Sequence, residues 1–209
     1  MAEHSDVFSV PYETAVFGNA NRGQRWGKLA WLLIRAQLSG KPLWIEKTPG
    51  HILHTDTISR VMPNAKFIVA TRDGRDTVAS LGKRYGSFER AFKRWAKDST
   101  ASKLRIQNGS SFLWRYEDFI ELPARSIEDL CSFLGISYDE AMLDYHKRPT
   151  AWGQKAIRKM SEHASRRQAQ VNQPIRDYRG KWKHELPPEV VSWFDHDDAR
   201  ELMEFFGYR

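Results

Sequence analysis

The chain has 209 residues, 41% hydrophobic and 12% aromatic, with 33 Lys+Arg against 26 Asp+Glu for a formal net charge of +7. It is too apolar for a disordered chain and long enough for one domain with a sizeable core. The single cysteine, Cys131, excludes an intrachain disulfide, no apolar run reaches membrane-span length, and the N-terminus lacks a signal-peptide pattern, so a soluble, cytoplasmic protein is expected.

Residues 1–18 read as irregular, punctuated by Pro11 and Gly18. The spacing predicts a helix over 24–38 with an apolar face of Trp26, Leu29, Ala30, Leu33 and Ala36 flanked by Gln37. Gly40 and Pro42 stop it. A short strand follows at 43–46, then a helix over 51–61 ended by Pro63. Residues 66–71 (Lys-Phe-Ile-Val-Ala-Thr) form a continuous apolar run, the pattern of a buried parallel strand. Helices are predicted over 76–85 and 87–106, a strand over 111–115, and helices around 124–134, 138–146 and 187–206. Cys131 lies in a Leu-Cys-Ser-Phe-Leu run as a small core residue. The polar stretch 158–180 reads as a long loop or mobile helix. Strands alternating with helices predict an α/β fold, a mostly parallel sheet flanked by helices, in one domain over 1–209.

The informative segment is 43–81. A strand ends at Thr71, Arg72 follows, and a tight Asp73-Gly74-Arg75 turn enters a helix. Ligands of open α/β sheets bind outside the carboxyl ends of the strands. A helix N-terminus there offers N–H groups to a phosphate, and Arg72 adds a bidentate fork. Ser80 lies eight residues on, where its hydroxyl can donate to a phosphate oxygen. Lys47 follows the preceding strand and can neutralise charge on a leaving phosphate. Taken singly, each feature also fits a surface turn or a surface lysine.

Together these residues resemble the superfamily of sulfotransferases that use 3′-phosphoadenosine-5′-phosphosulfate. The matching stretches are Trp44-Ile45-Glu46-Lys47-Thr48-Pro49, Pro63-Asn64-Ala65-Lys66-Phe67-Ile68, and Arg72-Asp73-Gly74-Arg75-Asp76 with Ser80. Leu113-Trp114-Arg115-Tyr116-Glu117-Asp118 and Phe133-Leu134-Gly135-Ile136 extend the likeness. Val171-Asn172-Gln173-Pro174, Gly180-Lys181-Trp182 and Phe206-Gly207-Tyr208 are similar to the C-terminal pattern of protein-tyrosine sulfotransferases and their bacterial relatives.

The resemblance implies a P-loop-NTPase-like sulfotransferase fold, a nucleotide co-substrate, an acceptor hydroxyl and no metal. It implies that Arg72 and Ser80 hold the 3′-phosphate, that Tyr116 contacts the adenosine, and that Lys181 lies near the 5′-phosphosulfate. Lys47 matches the family's catalytic lysine and Glu13 its general base, a carboxylate that takes the proton of a poorly nucleophilic hydroxyl. Glu13 also reads as a surface or cap residue. Glu46 is a second base candidate, although it would point away from Lys47 unless the strand has ended.

The family begins with a strand, a phosphosulfate-cradling loop and a helix, and that first strand–loop–helix unit, about 20–30 residues, is missing from this pattern. Either the natural product is longer, or the short form binds the nucleotide weakly and is an impaired catalyst. Gly18–Gly23 has Walker A glycine spacing without the Lys-Ser/Thr pair and reads as a loop that could bind an anion through Arg22 and Arg25.

Two rivals stand beside this reading. A P-loop-like nucleotide-binding protein or kinase shares the sheet and the phosphate preference but needs that pair and a Mg²⁺-binding acidic pair. A basic nucleic-acid-binding module would use the cations of 147–183, with Trp152, Tyr178 and Trp182 interleaved, although no binding motif accompanies them. His51 and His54 read as an ordinary helix face rather than metal ligands.

Overall fold

The computed structural model describes residues 4–18, 22–147 and 173–209. The chain divides into two compact units, Met1–Val61 with Leu134–Ile175 and Met62–Phe133 with Arg176–Arg209.

In the first unit, strand β1 (Val7–Ser9) pairs in parallel with β2 (Leu43–Ile45), Val7 opposite Leu43 and Ser9 opposite Ile45. Helix α1 (Arg22–Leu38) makes the crossover. A 3₁₀ segment, Pro49–His54, leads into α2 (Thr55–Val61). β1 lies inside the stretch read as irregular, because three residues are too short to show a period of two. The predicted α1 exists, but its buried face is Leu29, Leu32 and Ala36, while Trp26 and Leu33 are exposed at 51% and 44%. Where the chain was expected to be helical over 138–146, only single 3₁₀ turns occur, at Glu140–Met142 and Tyr145–Lys147. Asp139 caps the start of the first by accepting from the Ala141 N–H.

In the second unit, β3 (Phe67–Thr71) pairs in parallel with β4 (Ser111–Arg115), Phe67 opposite Ser111 and Thr71 opposite Arg115. Between them run α3 (Gly74–Tyr85) and α4 (Phe88–Gln107). α5 (Tyr116–Glu121) and α6 (Pro123–Leu134) follow β4. The C-terminal part forms α7 (Trp182–Glu185), α8 (Pro188–Ser192), a 3₁₀ turn and α9 (Asp197–Phe205). The single helix expected over 187–206 is thus three pieces, because His196 is extended (φ −66°, ψ 142°) and interrupts the ladder. β3 is less enclosed than its apolar run predicts. Val69 is buried but Ala70 is exposed, since among the described residues β3 has one neighbouring strand. Cys131 is buried, as expected.

The core of the second unit joins α3, α4 and the C-terminal helices through Val78, Ala79, Trp95, Phe194, Leu202 and Phe206. Burying a large side chain contributes about 1.5–3 kcal/mol, so this aromatic cluster fixes how α3 lies on α4. The approach depends on Gly74. A Cβ there would lie 2.5 Å from the Trp95 ring and 2.8 Å from Phe194. Both rings are buried at 6% exposure and cannot swing aside. Gly74→Ala is therefore expected to destabilise by about 1–3 kcal/mol despite alanine's better helix propensity. Urea unfolding followed by circular dichroism checks this; an unchanged midpoint would contradict it.

Candidate functional site

The second unit gathers side chains where β3 and β4 end. Arg72 follows β3, and its guanidinium lies 4.8 Å from the centroid of the Tyr116 ring, the first residue after β4. Its Nη2 donates to the Tyr178 carbonyl and lies 3.1 Å from Asp76 Oδ2. Its buried Nε meets no acceptor among the described residues. Burial pushes the Tyr116 hydroxyl pKa up, against the lowering effect of the Tyr178 N–H and Arg72. That hydroxyl donates to the Arg176 carbonyl at 2.7 Å and accepts from the Tyr178 N–H at 3.1 Å. The Lys181 ammonium sits 4.1 Å from the Tyr178 ring centroid. Ser80 is exposed on α3. The structure thus links Arg72, Tyr116 and Lys181 through Tyr178, a residue the sequence reading did not single out for the site.

Asp76 holds this arrangement. It is 2% exposed, and its Oδ2 and Oδ1 accept from the Gly180 and Trp182 N–H groups, each at 2.9 Å. With Arg72 on Oδ2, the carboxylate has a cation and two backbone donors, which a buried charge requires. Glu117 braces the same turn. Its Oε1 accepts from the Asp73 N–H at 3.0 Å and its Oε2 from the Tyr208 hydroxyl at 2.7 Å. Burial raises the Tyr208 pKa far above the ordinary phenol value, which keeps it a donor.

The expected use of the α3 N-terminus differs from what is seen. Asp73 caps the helix itself, accepting from the Arg75 N–H at 2.8 Å and pairing with the Arg75 guanidinium at 2.7 Å. An aspartate at the cap fills the place a phosphate would take. Arg75 is therefore committed to Asp73, to the Trp182 ring 4.4 Å away and to the Arg209 carbonyl. A cleft of about 280 Å³ alongside is lined by residues of both signs, among them Arg75, Asp76, Glu117, Arg179 and Lys183.

In the first unit, β2 stops at Ile45, so Glu46 and Lys47 leave the strand alternation. Lys47 Nζ donates to Glu13 Oε1 at 2.8 Å, bringing the two expected catalytic residues together. Both are exposed. Such exposed pairs contribute only about 0–1 kcal/mol, so a ligand can open this one at little cost.

Glu46 is differently placed. Its Oε1 accepts from the Thr14 N–H (3.0 Å), the Thr14 hydroxyl (2.8 Å) and the Thr48 hydroxyl (2.5 Å). Its Oε2 lies 2.9 Å from His51 Nδ1. Burial alone would raise its pKa, but hydrogen bonds from His51, Thr48 and Thr14 outweigh that and hold it down at about 2. A carboxylate so weakly basic and so fully bonded is a poor proton acceptor, which leaves Glu13 as the stronger of the two base candidates. His51 is no ordinary helix face: the Phe17 N–H donates to its Nε2 at 3.3 Å, and the two rings meet edge-on.

Several expectations fall on residues outside the described ones: Val171-Asn172, part of the Gly18–Gly23 loop, most of the stretch 158–180, and from the basic cluster Arg148, Trp152, Lys155, Arg158, Lys159, Arg166 and Arg167. Of the rest, Arg179 pairs with Asp177 at 2.9 Å, and Lys183 lies 5.9 Å from the Trp182 ring. Among the described residues no group of His, Cys, Asp and Glu is placed to hold a metal, and no helix is long and apolar enough to cross a membrane.

The profile described as "Sulfotransferase family" matches residues 20–140. Protein-tyrosine sulfotransferase 2 of Gallus gallus is 25% identical over 174 residues, covering 78% of this chain and 45% of its own length. The Drosophila melanogaster protein-tyrosine sulfotransferase is 23% identical over 182 residues, covering 80% of this chain and 35% of its own. The chain thus spans less than half the length of these curated relatives. A mouse sulfotransferase crystallised with PAP superposes with a TM-score of 0.60 at 15% identity, over 97% of this chain and 80% of that one. The α/β fold with short parallel sheets is therefore a sulfotransferase fold.

The low pKa of Glu46 has a thermodynamic consequence. The folded value lies below the usual 4.5, so the group stabilises the fold above that pH, and the stabilisation is lost as pH falls from about 4.5 towards 2. The total is on the order of 3 kcal/mol. Thermal unfolding of wild type is expected to weaken more steeply over that window than unfolding of Glu46→Gln. Parallel pH profiles would contradict this.

Proposed function

The chain belongs to the sulfotransferase family, and on that premise we propose that it moves a sulfuryl group from 3′-phosphoadenosine-5′-phosphosulfate to an acceptor hydroxyl. The observation that carries the nucleotide half is Arg72: a guanidinium at the carboxyl end of a parallel strand, stacked on Tyr116, with a buried Nε that no described residue satisfies. Ligands of such sheets bind at that end of the strands, and a planar guanidinium suits a phosphate better than a lysine. The mouse structural neighbour in complex with PAP supports the same reading.

In this reading Arg72 and the exposed Ser80 bind the 3′-phosphate, and the Tyr116 ring, whose face already holds a cation, contacts the adenosine. Lys181 neutralises the phosphosulfate. Lys47 stabilises the oxygen that leaves with the 5′-phosphate. Glu13 takes the acceptor's proton as its oxygen attacks sulfur. The S–O bond to the 5′-phosphate breaks as the new S–O bond forms, and the adenosine bisphosphate departs with the electron pair. The cations required are lysines and arginine of the chain, so the reading calls for no metal. The acceptor is an alcohol or phenol, and its identity rests with the loops that contact it.

A thermal-shift titration tests the nucleotide half. A ligand that binds only the folded state at a hundred times its Kd stabilises by about 2.7 kcal/mol. We expect 3′-phosphoadenosine-5′-phosphate to raise the melting temperature and AMP to leave it unchanged. Ser80→Ala should keep the melting temperature of the free protein and lose part of the response, and Arg72→Ala should lose the response altogether. Equal responses to the bisphosphate and AMP, or none to either, would overturn the proposal.

A further inference from the structure

Ala15 has φ 49°, a left-handed backbone that a residue with a Cβ seldom adopts. It stands two residues after Glu13. Such strain persists only where the surroundings over-determine it, and it collects at functional sites. Here the surroundings are a closed set of side-chain bonds to four successive backbone N–H groups. Thr14 N–H donates to Glu46 Oε1 at 3.0 Å, Ala15 N–H to the Thr48 hydroxyl at 3.1 Å, Val16 N–H to the Thr14 hydroxyl at 3.3 Å, and Phe17 N–H to His51 Nε2 at 3.3 Å. Both hydroxyls, having accepted from the backbone, donate onward to Glu46 Oε1. His51, with Nε2 accepting, carries its proton on Nδ1 and meets Glu46 Oε2 at 2.9 Å. Every donor and acceptor in the set has one direction, and all lead to one carboxylate.

We infer that Glu46, through Thr48 and His51, is a positioning residue that clamps the 14–17 turn in its left-handed shape and so sets the place of the Glu13 carboxylate against Lys47. The inference rests on the sulfuryl-transfer reading for Glu13 and Lys47, whereas the clamp itself stands on the bonds above. Glu46 touches neither the Glu13 nor the Lys47 side chain in these bonds. It acts through the backbone that carries Glu13 and through its own adjacency to Lys47. Glu46→Gln keeps the shape but turns one acceptor oxygen into an NH₂ donor. The amide must then face either the three donors on Oε1 or His51 Nδ1. The His51 tautomer that would accept from it is barred by the Phe17 N–H.

Two measurements on the full chain separate the clamp from the chemistry. The first is amide hydrogen exchange at Thr14, Ala15, Val16 and Phe17. We expect protection in wild type and at least a tenfold loss at these four amides in Glu46→Gln, with exchange in α3 and α4 unchanged. Unchanged exchange at the four overturns the clamp, whatever the protein catalyses. The second is turnover of 3′-phosphoadenosine-5′-phosphosulfate with 4-nitrophenol as the acceptor. Misplacing a reacting group by about 1 Å lowers rates on the order of 10- to 100-fold, so Glu46→Gln should lower kcat by that factor with the KM for the nucleotide unchanged. Ala15→Gly in the Glu46→Gln background should recover part of both protection and kcat, because glycine holds the left-handed shape without help. A merely structural role would raise KM and lower kcat together, without recovery by glycine, and would overturn the positioning role. A wild-type chain with protected amides but no turnover would instead sink the sulfuryl-transfer reading, and with it the catalytic half of this inference.

Discussion

The Asp76 carboxylate is the constraint on which the second unit depends. It is buried, pairs with the Arg72 guanidinium at the end of β3, and accepts from the Gly180 and Trp182 N–H groups, more than a hundred residues along the chain. Breaking a buried, bonded charge costs about 3–5 kcal/mol, more than any surface pair in the chain can offset. Because the cation and the two N–H groups converge on one carboxylate, the segment that carries Tyr178 and Lys181 cannot shift independently of Arg72. The Arg72–Tyr116 stack, the Tyr116 bonds to Arg176 and Tyr178, and the Lys181–Tyr178 contact all follow from that attachment.

Glu46 plays a comparable part in the first unit, on a smaller scale. One carboxylate organises a short turn and is itself held as an anion by that turn. In both units the acidic residue that does most for the geometry is the less exposed of its neighbours, and the residues proposed to meet substrate are the more exposed ones. Glu13, Lys47, Ser80 and Lys181 are all exposed. The exposed Glu13–Lys47 pair is weak enough to open for an anionic ligand, while Asp76 and Glu46 are too well bonded to move.

The local elements were legible where chain chemistry is local. The strand over 111–115 is found as predicted, and the turn at Asp73-Gly74-Arg75 opens α3 because an aspartate cap and a glycine stand there together. What could not be read was long-range. Nothing near Asp76 announces that Gly180 and Trp182 will bond to it, and His51 looks like any helix residue until Glu46 and Phe17 come to either side. The face of α1 was misplaced because Trp26 and Leu33 have the right period, but burial is decided by which neighbours arrive, and these favour Leu32. Glu46 was read as facing away from Lys47 unless the strand had ended; β2 does end at Ile45, and the Glu46 carboxylate turns to the 14–17 loop.

The proposed nucleotide-binding surface of the second unit depends on the Asp76 attachment. That dependence is tested most directly by isothermal titration of 3′-phosphoadenosine-5′-phosphate into wild type and Asp76→Asn, with circular dichroism to show that the helices persist. An asparagine can accept through only one of the two oxygens, and losing a hydrogen bond to a charged group costs about 1.5–3 kcal/mol. The account predicts that affinity falls at least tenfold while helix content stays the same. Equal affinity in the two proteins would contradict it.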